Sequence, residues 1–315
     1  MPDVPSAPDA PDKLPSGLPA AFALTGTPSR LPGGQGTCWR VGDAVLKPGQ
    51  DPAEASWLAE VFADLTGPGF RVPLPVRAVD GSWVVAGWAA WGWVDGEPDE
   101  LARWPELVEV SRSFHAALAG RGRPRWVGRG ASPWAVADRV AWGEATVELA
   151  PELAGLVTAL LAAMRPVRLP SQLVHGDIAG NVLFPARQSP PARQPPPARQ
   201  PPAAGQSPAV IDFSPYWRPP GYALAVAAVD LLAWSDAPPG ILDELSGEPE
   251  IDQLLLRALV FRVVVESLAR DRPADQGRAE DELRAVRRVT QPVTDLLLGR
   301  AAVLHSGRDS RLPPG

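Results

Sequence analysis

Lysine is nearly absent. Of the 30 basic side chains only Lys13 and Lys47 are lysines, and the rest are arginines. Together with 39 prolines, this bias points to a GC-rich genome. It also makes a lysine inside a patterned strand a residue to explain. Cysteine is limited to Cys38, which excludes an internal disulfide and fits a reducing compartment, the cytoplasm. No apolar run approaches the ~20 residues that a membrane-spanning helix needs. The Pro- and Asp-rich start lacks an apolar h-region, which predicts no secretory signal. A net charge of −6 argues against non-specific nucleic-acid binding. What is present is an ordinary globular share of apolar residues, 45% of 315, enough for one large two-lobed unit or two domains.

Three stretches carry no core pattern. Residues 1–17 have almost no apolar periodicity and read as a disordered tail; the end, 306–315, reads as loose. Residues 185–208 repeat the unit PARQ and read as an extended polyproline II insert without donors for a sheet ladder. Such an insert is tolerated only at a hairpin tip facing solvent. Repeat expansion without function accounts for it, and a ligand for a proline-binding module is the sharper alternative.

The chemistry is concentrated in Leu173–Phe184, LVHGDIAGNVLF. Apolar runs on both sides of a polar turn predict two buried strands joined by a loop that carries His175, Asp177 and Asn181. An Asp on such a loop can accept a hydroxyl proton, and an Asn oxygen can hold magnesium, as phosphoryl transfer requires. Asp212, after the apolar run Ala209–Ile211, offers a second carboxylate for a metal.

Upstream, Gly33, Gly34 and Gly36 form a glycine-rich turn before a strand at 38–41, a Gly42-Asp43 turn and a second strand ending at Lys47. Glycine loops let backbone amides approach phosphates, although plain turn chemistry explains such a loop about as well. In a chain that otherwise uses arginine, Lys47 reads as a compact point charge kept for a site rather than as a solvated surface lysine. Residues 52–65 predict a helix with Glu54 early and Glu60 late; Glu54 is the favoured partner for Lys47. The Asp80-Gly81 pair predicts a hairpin, and Trp88, Trp91 and Trp93 follow it; core packing explains most of the 12 tryptophans. Helices are predicted over 99–119, 133–164, 222–234, 251–270 and 278–304. The 222–234 helix is almost wholly apolar except for Asp230, and a buried charge needs a partner. His115 on the 99–119 helix reads as a packing residue.

HGDIAGN followed by IDF resembles the catalytic loop and metal-binding strand of the aminoglycoside phosphotransferase family, a branch of the protein-kinase-like fold. The resemblance implies an α+β, two-lobed fold, with a small β-rich lobe over 18–93, a mainly helical lobe over 94–305, and ATP with magnesium between them. It implies that Asp177, with His175 in the motif, is catalytic and that Asn181 and Asp212 are metal ligands. Lys47, paired with Glu54, and the glycine turn would meet the phosphates. Backbone at Gly92, Trp93 and Val94 would meet adenine, and Asp230 would brace the catalytic loop. The family usually places the Asn five residues after the Asp, whereas here the spacing is four. Either Gly180 absorbs the bend, or Asn181 no longer reaches the metal. The run SPYWRP after Asp212 departs from the common family sequence and is similar to that of an actinobacterial subgroup, for which the resemblance supplies no substrate.

Only 18 positions separate Asp212 from Asp230, too few for a long activation segment, so a small hydroxyl-bearing molecule is the expected acceptor. Tyr216, Trp217 and Arg218 point to a ring or an anionic group beside the metal, unless they and the adjacent prolines only lock a turn. The competing class is a nucleotide-binding scaffold on the same fold without catalysis.

Overall fold

The computed structural model describes residues 13–32, 36–186, 207–270 and 276–309. The start of the predicted tail, Gly33 and Gly34, most of the Pro-rich insert and the last six residues lie outside the described residues. The chain forms two compact units: residues up to Pro98 together with Val182–Ile211, and Asp99–Asn181 together with the chain from Asp212 onward.

In the first unit, a short helix α1 (Leu18–Ala21) precedes the strands β1 (Ser29–Arg30), β2 (Trp39–Val41) and β3 (Ala44–Lys47). The Gly42-Asp43 turn joins β2 to β3 in the register Val41↔Ala44. Gly42 has φ +57, and a Cβ there would lie 2.5 Å from the Thr25 carbonyl oxygen, so the position requires glycine. Helix α2 (Pro52–Ala63) starts at Asp51, whose carboxylate accepts from the Ala53 and Glu54 amides. Strands β4 (Pro75–Val76) and β5 (Val84–Val85) both pair antiparallel with β6 (Trp88–Gly92), which also pairs with β3. The Asp80-Gly81 turn forms, but its flanking strands pair with β6 rather than with each other. The tight hairpin instead lies at Ala86-Gly87, where φ values of +49 and +79 give the mirror-image turn that matches strand twist. Leu18, Phe22, Val41, Leu46, Ala78, Trp88 and Ala90 form a buried core under this sheet. Beyond Asn181, β8 (Val182–Leu183) pairs with β9 (Ala209–Val210), which closes the hairpin that carries the insert.

The second unit is mainly helical. It holds α3 (Trp104–Leu118), α4 (Pro133–Ala141), α5 (Pro151–Ala163), α6 (Gly221–Trp234), a 3₁₀ helix (Pro239–Leu245), α7 (Ile251–Arg270) and α8 (Gln276–Asp309). The patterned stretch 133–164 is two helices because Gly143, at φ +71, leaves the helical region and Pro151 starts afresh. Helix α8 runs past the predicted end at residue 304 and contains Pro292. Among the described residues of this unit, the only sheet is β7 (Gln172–His175) against β10 (Pro215–Arg218), antiparallel from Gln172↔Arg218 to His175↔Pro215. Among the described residues, no helix is long and apolar enough to cross a membrane.

Candidate active site

Pairing of β7 with β10 decides which residues meet. The register ends at His175↔Pro215, and Gly176 adds one more bond by donating to the Ser214 carbonyl at 2.9 Å. Asp177, leaving β7, and Asp212, entering β10, therefore emerge at the same end of the ladder. Asp212 is exposed and holds φ +49, a conformation that Asp tolerates better than most residues. The next residue, Phe213, is buried and anchors the turn.

His175 is fully buried beside Phe114 and Phe213. Its amide donates to His115 Nε2 at 3.0 Å, and its Nδ1 accepts from the Asp177 amide at 3.2 Å. His115 Nδ1 lies 2.7 Å from the Ser111 carbonyl and is therefore the protonated nitrogen that donates to it. Burial pushes the His115 pKa down to about 3, which keeps Nε2 an acceptor at neutral pH. The two histidines thus form a hydrogen-bonded bracket behind the loop, with His115 held neutral by burial.

His115 titrates. Because the folded pKa is depressed, the unfolded chain binds the extra proton between about pH 6.5 and 3, so stability is full above that window and falls with acid. Denaturant unfolding at pH 5 should show about 2 kcal/mol less stability from this residue than at pH 7. His115→Gln should flatten that slope; an unchanged slope would exclude His115 as its source.

Gly176 lies between His175 and Asp177 because nothing larger fits. A Cβ at this position would lie 2.1 Å from the Tyr216 ring. Tyr216 therefore packs on the loop backbone, and its ring centroid lies 5.8 Å from that of Phe261. Burial raises its phenol pKa above the ordinary value, with the Asp138 charge adding to the effect. Trp217 is partly exposed. Arg218 is committed: its Nε and Nη2 donate to Asp138 and its Nη1 and Nη2 to Glu144 at 2.6–3.0 Å. Burial works against that charge, but Glu144 and Asp138 outweigh it and hold the guanidinium pKa above its usual range.

The short loop is pinned at three points. The Asn181 amide donates to the Ile178 carbonyl at 3.1 Å, and its side-chain nitrogen donates to the Asp177 carbonyl at 2.7 Å. Gly180, at φ +77, absorbs the bend and donates its amide to Glu100 Oε1 at 2.6 Å. With its nitrogen engaged, Asn181 has its side-chain oxygen as the remaining polar atom of the amide. Among the described residues, no three His, Cys, Asp or Glu side chains converge on a metal site. An Asn oxygen and one carboxylate nevertheless fit magnesium, which takes few protein ligands and completes its shell with water and phosphates.

The least expected element is Arg262 on α7. Its Nε donates to Asp230 Oδ1 at 2.7 Å, and its Nη2 donates both to Asp230 Oδ2 and to Asp177 Oδ1. Burial opposes its charge, but Asp230 and Asp177 outweigh it and raise its pKa above the ordinary range. Burial likewise raises the Asp230 carboxyl pKa, and Arg262 opposes that rise. Asp230 thus reaches the loop through an arginine from a third element. Arg262, Glu100, Asp138 and Glu144 were all missed from sequence. The available signal for Arg262 was its place inside the apolar run Leu259–Val265 of α7, where a buried charge needs a partner.

In the first unit, Lys47 ends β3 half-buried, and burial lowers its pKa. Glu54 is half-buried in the first turn of α2, where burial and then Asp51 raise its pKa, while Glu60 is exposed. Gly36 adopts φ +62. The Gly92 amide donates to Leu74 and the Trp93 amide to Asp43, so both are already used inside the unit.

No protein-family model and no curated protein matches the sequence. Solved structures do match in shape. A choline/ethanolamine kinase family protein from Mesorhizobium loti aligns with TM-score 0.51 at 18% identity, over 89% of this chain and 93% of its own. An aminoglycoside phosphotransferase from Alicyclobacillus acidocaldarius aligns with TM-score 0.53 at 13% identity, over 94% and 97%. The fold is protein-kinase-like. A third structure with this protein-kinase-like fold is a thermostable aminoglycoside phosphotransferase mutant in ternary complex with ADP and hygromycin B. It aligns with TM-score 0.52 at 14% identity, over 90% of this chain and 97% of its own.

Proposed function

We propose that this protein is a phosphotransferase that moves the γ-phosphoryl group of ATP to a hydroxyl of a small molecule. The observation that carries the reading is the shared end of the β7–β10 ladder. There a partly exposed Asp177, held by a buried arginine, and an exposed Asp212 emerge together. Asp177 accepts the acceptor's hydroxyl proton as the new O–P bond forms. Asn181 and Asp212 hold magnesium, which when bound neutralises charge on the phosphates. Lys47, supported by Glu54, meets the phosphates as a point charge, with the Gly33, Gly34 and Gly36 turn offering amides. Val94 offers the backbone amide for adenine, because the Gly92 and Trp93 amides are taken. His175 accepts from the Asp177 amide and so orients the start of the loop.

These residues do not specially favour a polycation. Asp177 and Asp230 share Arg262, and Asp138 and Glu144 share Arg218, so each carboxylate pair keeps one net negative charge rather than two. Trp217, partly exposed, favours a molecule with a ring, whereas the Tyr216 ring is spent on the loop backbone. The half-exposed Cys38 thiol accords with a cytoplasmic enzyme. A second reading, a nucleotide-binding protein without turnover, draws on the shortened loop, whose Asn181 side chain is tied to its own backbone.

Binding is tested by thermal unfolding. Mg-ATP at about 100 times its dissociation constant should stabilise the protein by roughly 2.7 kcal/mol. Lys47→Ala should reduce the shift, and Asp212→Asn should remove its magnesium dependence. A full, magnesium-dependent shift in both variants would contradict the assignments.

A further inference from the structure

We infer that Arg262 is a positioning residue that fixes which oxygen of Asp177 serves as the base; the inference rests on the phosphotransferase reading above. Arg262 sits on α7, 85 residues along the chain from Asp177, with 9% of its side chain exposed. It grips Asp230 with two N–H groups, a fork-to-fork contact that fixes the plane of the guanidinium. Phe261 and Trp134 hold the same group from the side, with ring centroids 5.3 and 5.5 Å from its central carbon. Nη2, whose direction is fixed in this way, binds Asp177 Oδ1. Oδ2 is then the oxygen turned to the acceptor hydroxyl.

Exposure along the chain of contacts agrees. The Asp177 side chain is 34% exposed, against 9% for Arg262 and 18% for Asp230. The base is thus the open end of a buried ionic chain. Asp177 opens a loop one residue shorter than the family's usual spacing, and a carboxylate at the mouth of a shortened loop gains from an external reference. Arg262, anchored by Asp230 of α6, supplies one.

A structural ion pair would show the same contacts, so the test must read catalysis. Phosphate release from Mg-ATP, with water as acceptor, is followed in the full chain. Arg262→Lys keeps the charge but loses the planar fork. It should cut kcat by about 10²-fold, the usual scale for a misplaced reacting group, with KM for Mg-ATP unchanged. In the Asp177→Asn background the same change should cost nothing further, because there is no base left to orient. A loss that multiplies in full in that background, or a change in KM alone, would overturn the inference. Should Arg262→Lys fail to unfold cooperatively, Asp230→Asn replaces it: the fork is loosened from its other side, and the same non-additivity with Asp177→Asn is expected. If Asp177→Asn itself turns over ATP like the wild type, the phosphotransferase reading falls. If Asp177→Asn is impaired and Arg262→Lys is not, only the positioning role falls.

Discussion

Asp177→Asn should lower phosphoryl transfer by roughly 10²–10⁴-fold, the usual contribution of a positioned general base. The loss should lie almost wholly in kcat. The Asn oxygen can still accept from Arg262 Nη2, so the ionic chain keeps a partner at its open end. Asn181 and Asp212 are untouched, so the stabilisation by Mg-ATP should persist. Combined loss of turnover and Mg-ATP binding would instead assign Asp177 to the metal site or to folding. Asp212→Asn is the contrasting case: on the proposed reading it removes a charged metal ligand, and both quantities should fall.

The second large effect is on stability. Arg218→Ala should destabilise the protein by about 3–5 kcal/mol, because it leaves the Asp138 carboxylate charged, buried and without its fork. Asp138 is only 2% exposed at its side chain, and burial already raises its pKa against the pull of Arg218. Removing the arginine removes that pull, and the folded-state pKa rises further above the unfolded one. A carboxyl with a raised folded pKa favours the native state at acid pH and loses that advantage as pH rises through the folded value. The variant's deficit should therefore shrink on going from pH 7 to pH 5, and Asp138→Asn should recover part of it at pH 7. A deficit independent of pH, and additive with Asp138→Asn, would show that Arg218 contributes packing rather than charge compensation.

The sequence is most informative where function and local rules coincide. The apolar runs around His175–Asn181 specify β7 and β8, and the Gly42-Asp43 pair specifies the β2–β3 turn. Glycine at 176 and 180 marks a packed ring and a left-handed bend. The Ala86-Gly87 hairpin escaped because alanine is a poor signal for a left-handed position, while Asp80-Gly81 nearby carried the stronger one. The ionic chain escaped for a different reason. Asp177, Asp230 and Arg262 lie on three elements far apart in sequence, and only packing of α6 and α7 beside the loop brings them together. Arg218 was visible, but its partners Asp138 and Glu144 lie about 75–80 residues upstream. From sequence it looked available to a substrate, whereas in the fold its guanidinium is almost fully occupied.

The most direct test of a phosphotransferase is transfer itself. The full chain, with magnesium and ATP labelled at the γ-phosphate, is incubated with a pool of hydroxyl metabolites that includes sugars, cyclitols and amino alcohols. The label is then followed into products. Label should appear in at least one non-phosphate product with the wild type and be nearly lost with Asp177→Asn. A wild-type protein that binds Mg-ATP yet moves no label to any acceptor or to water would contradict the account and leave a nucleotide-binding protein on a kinase fold.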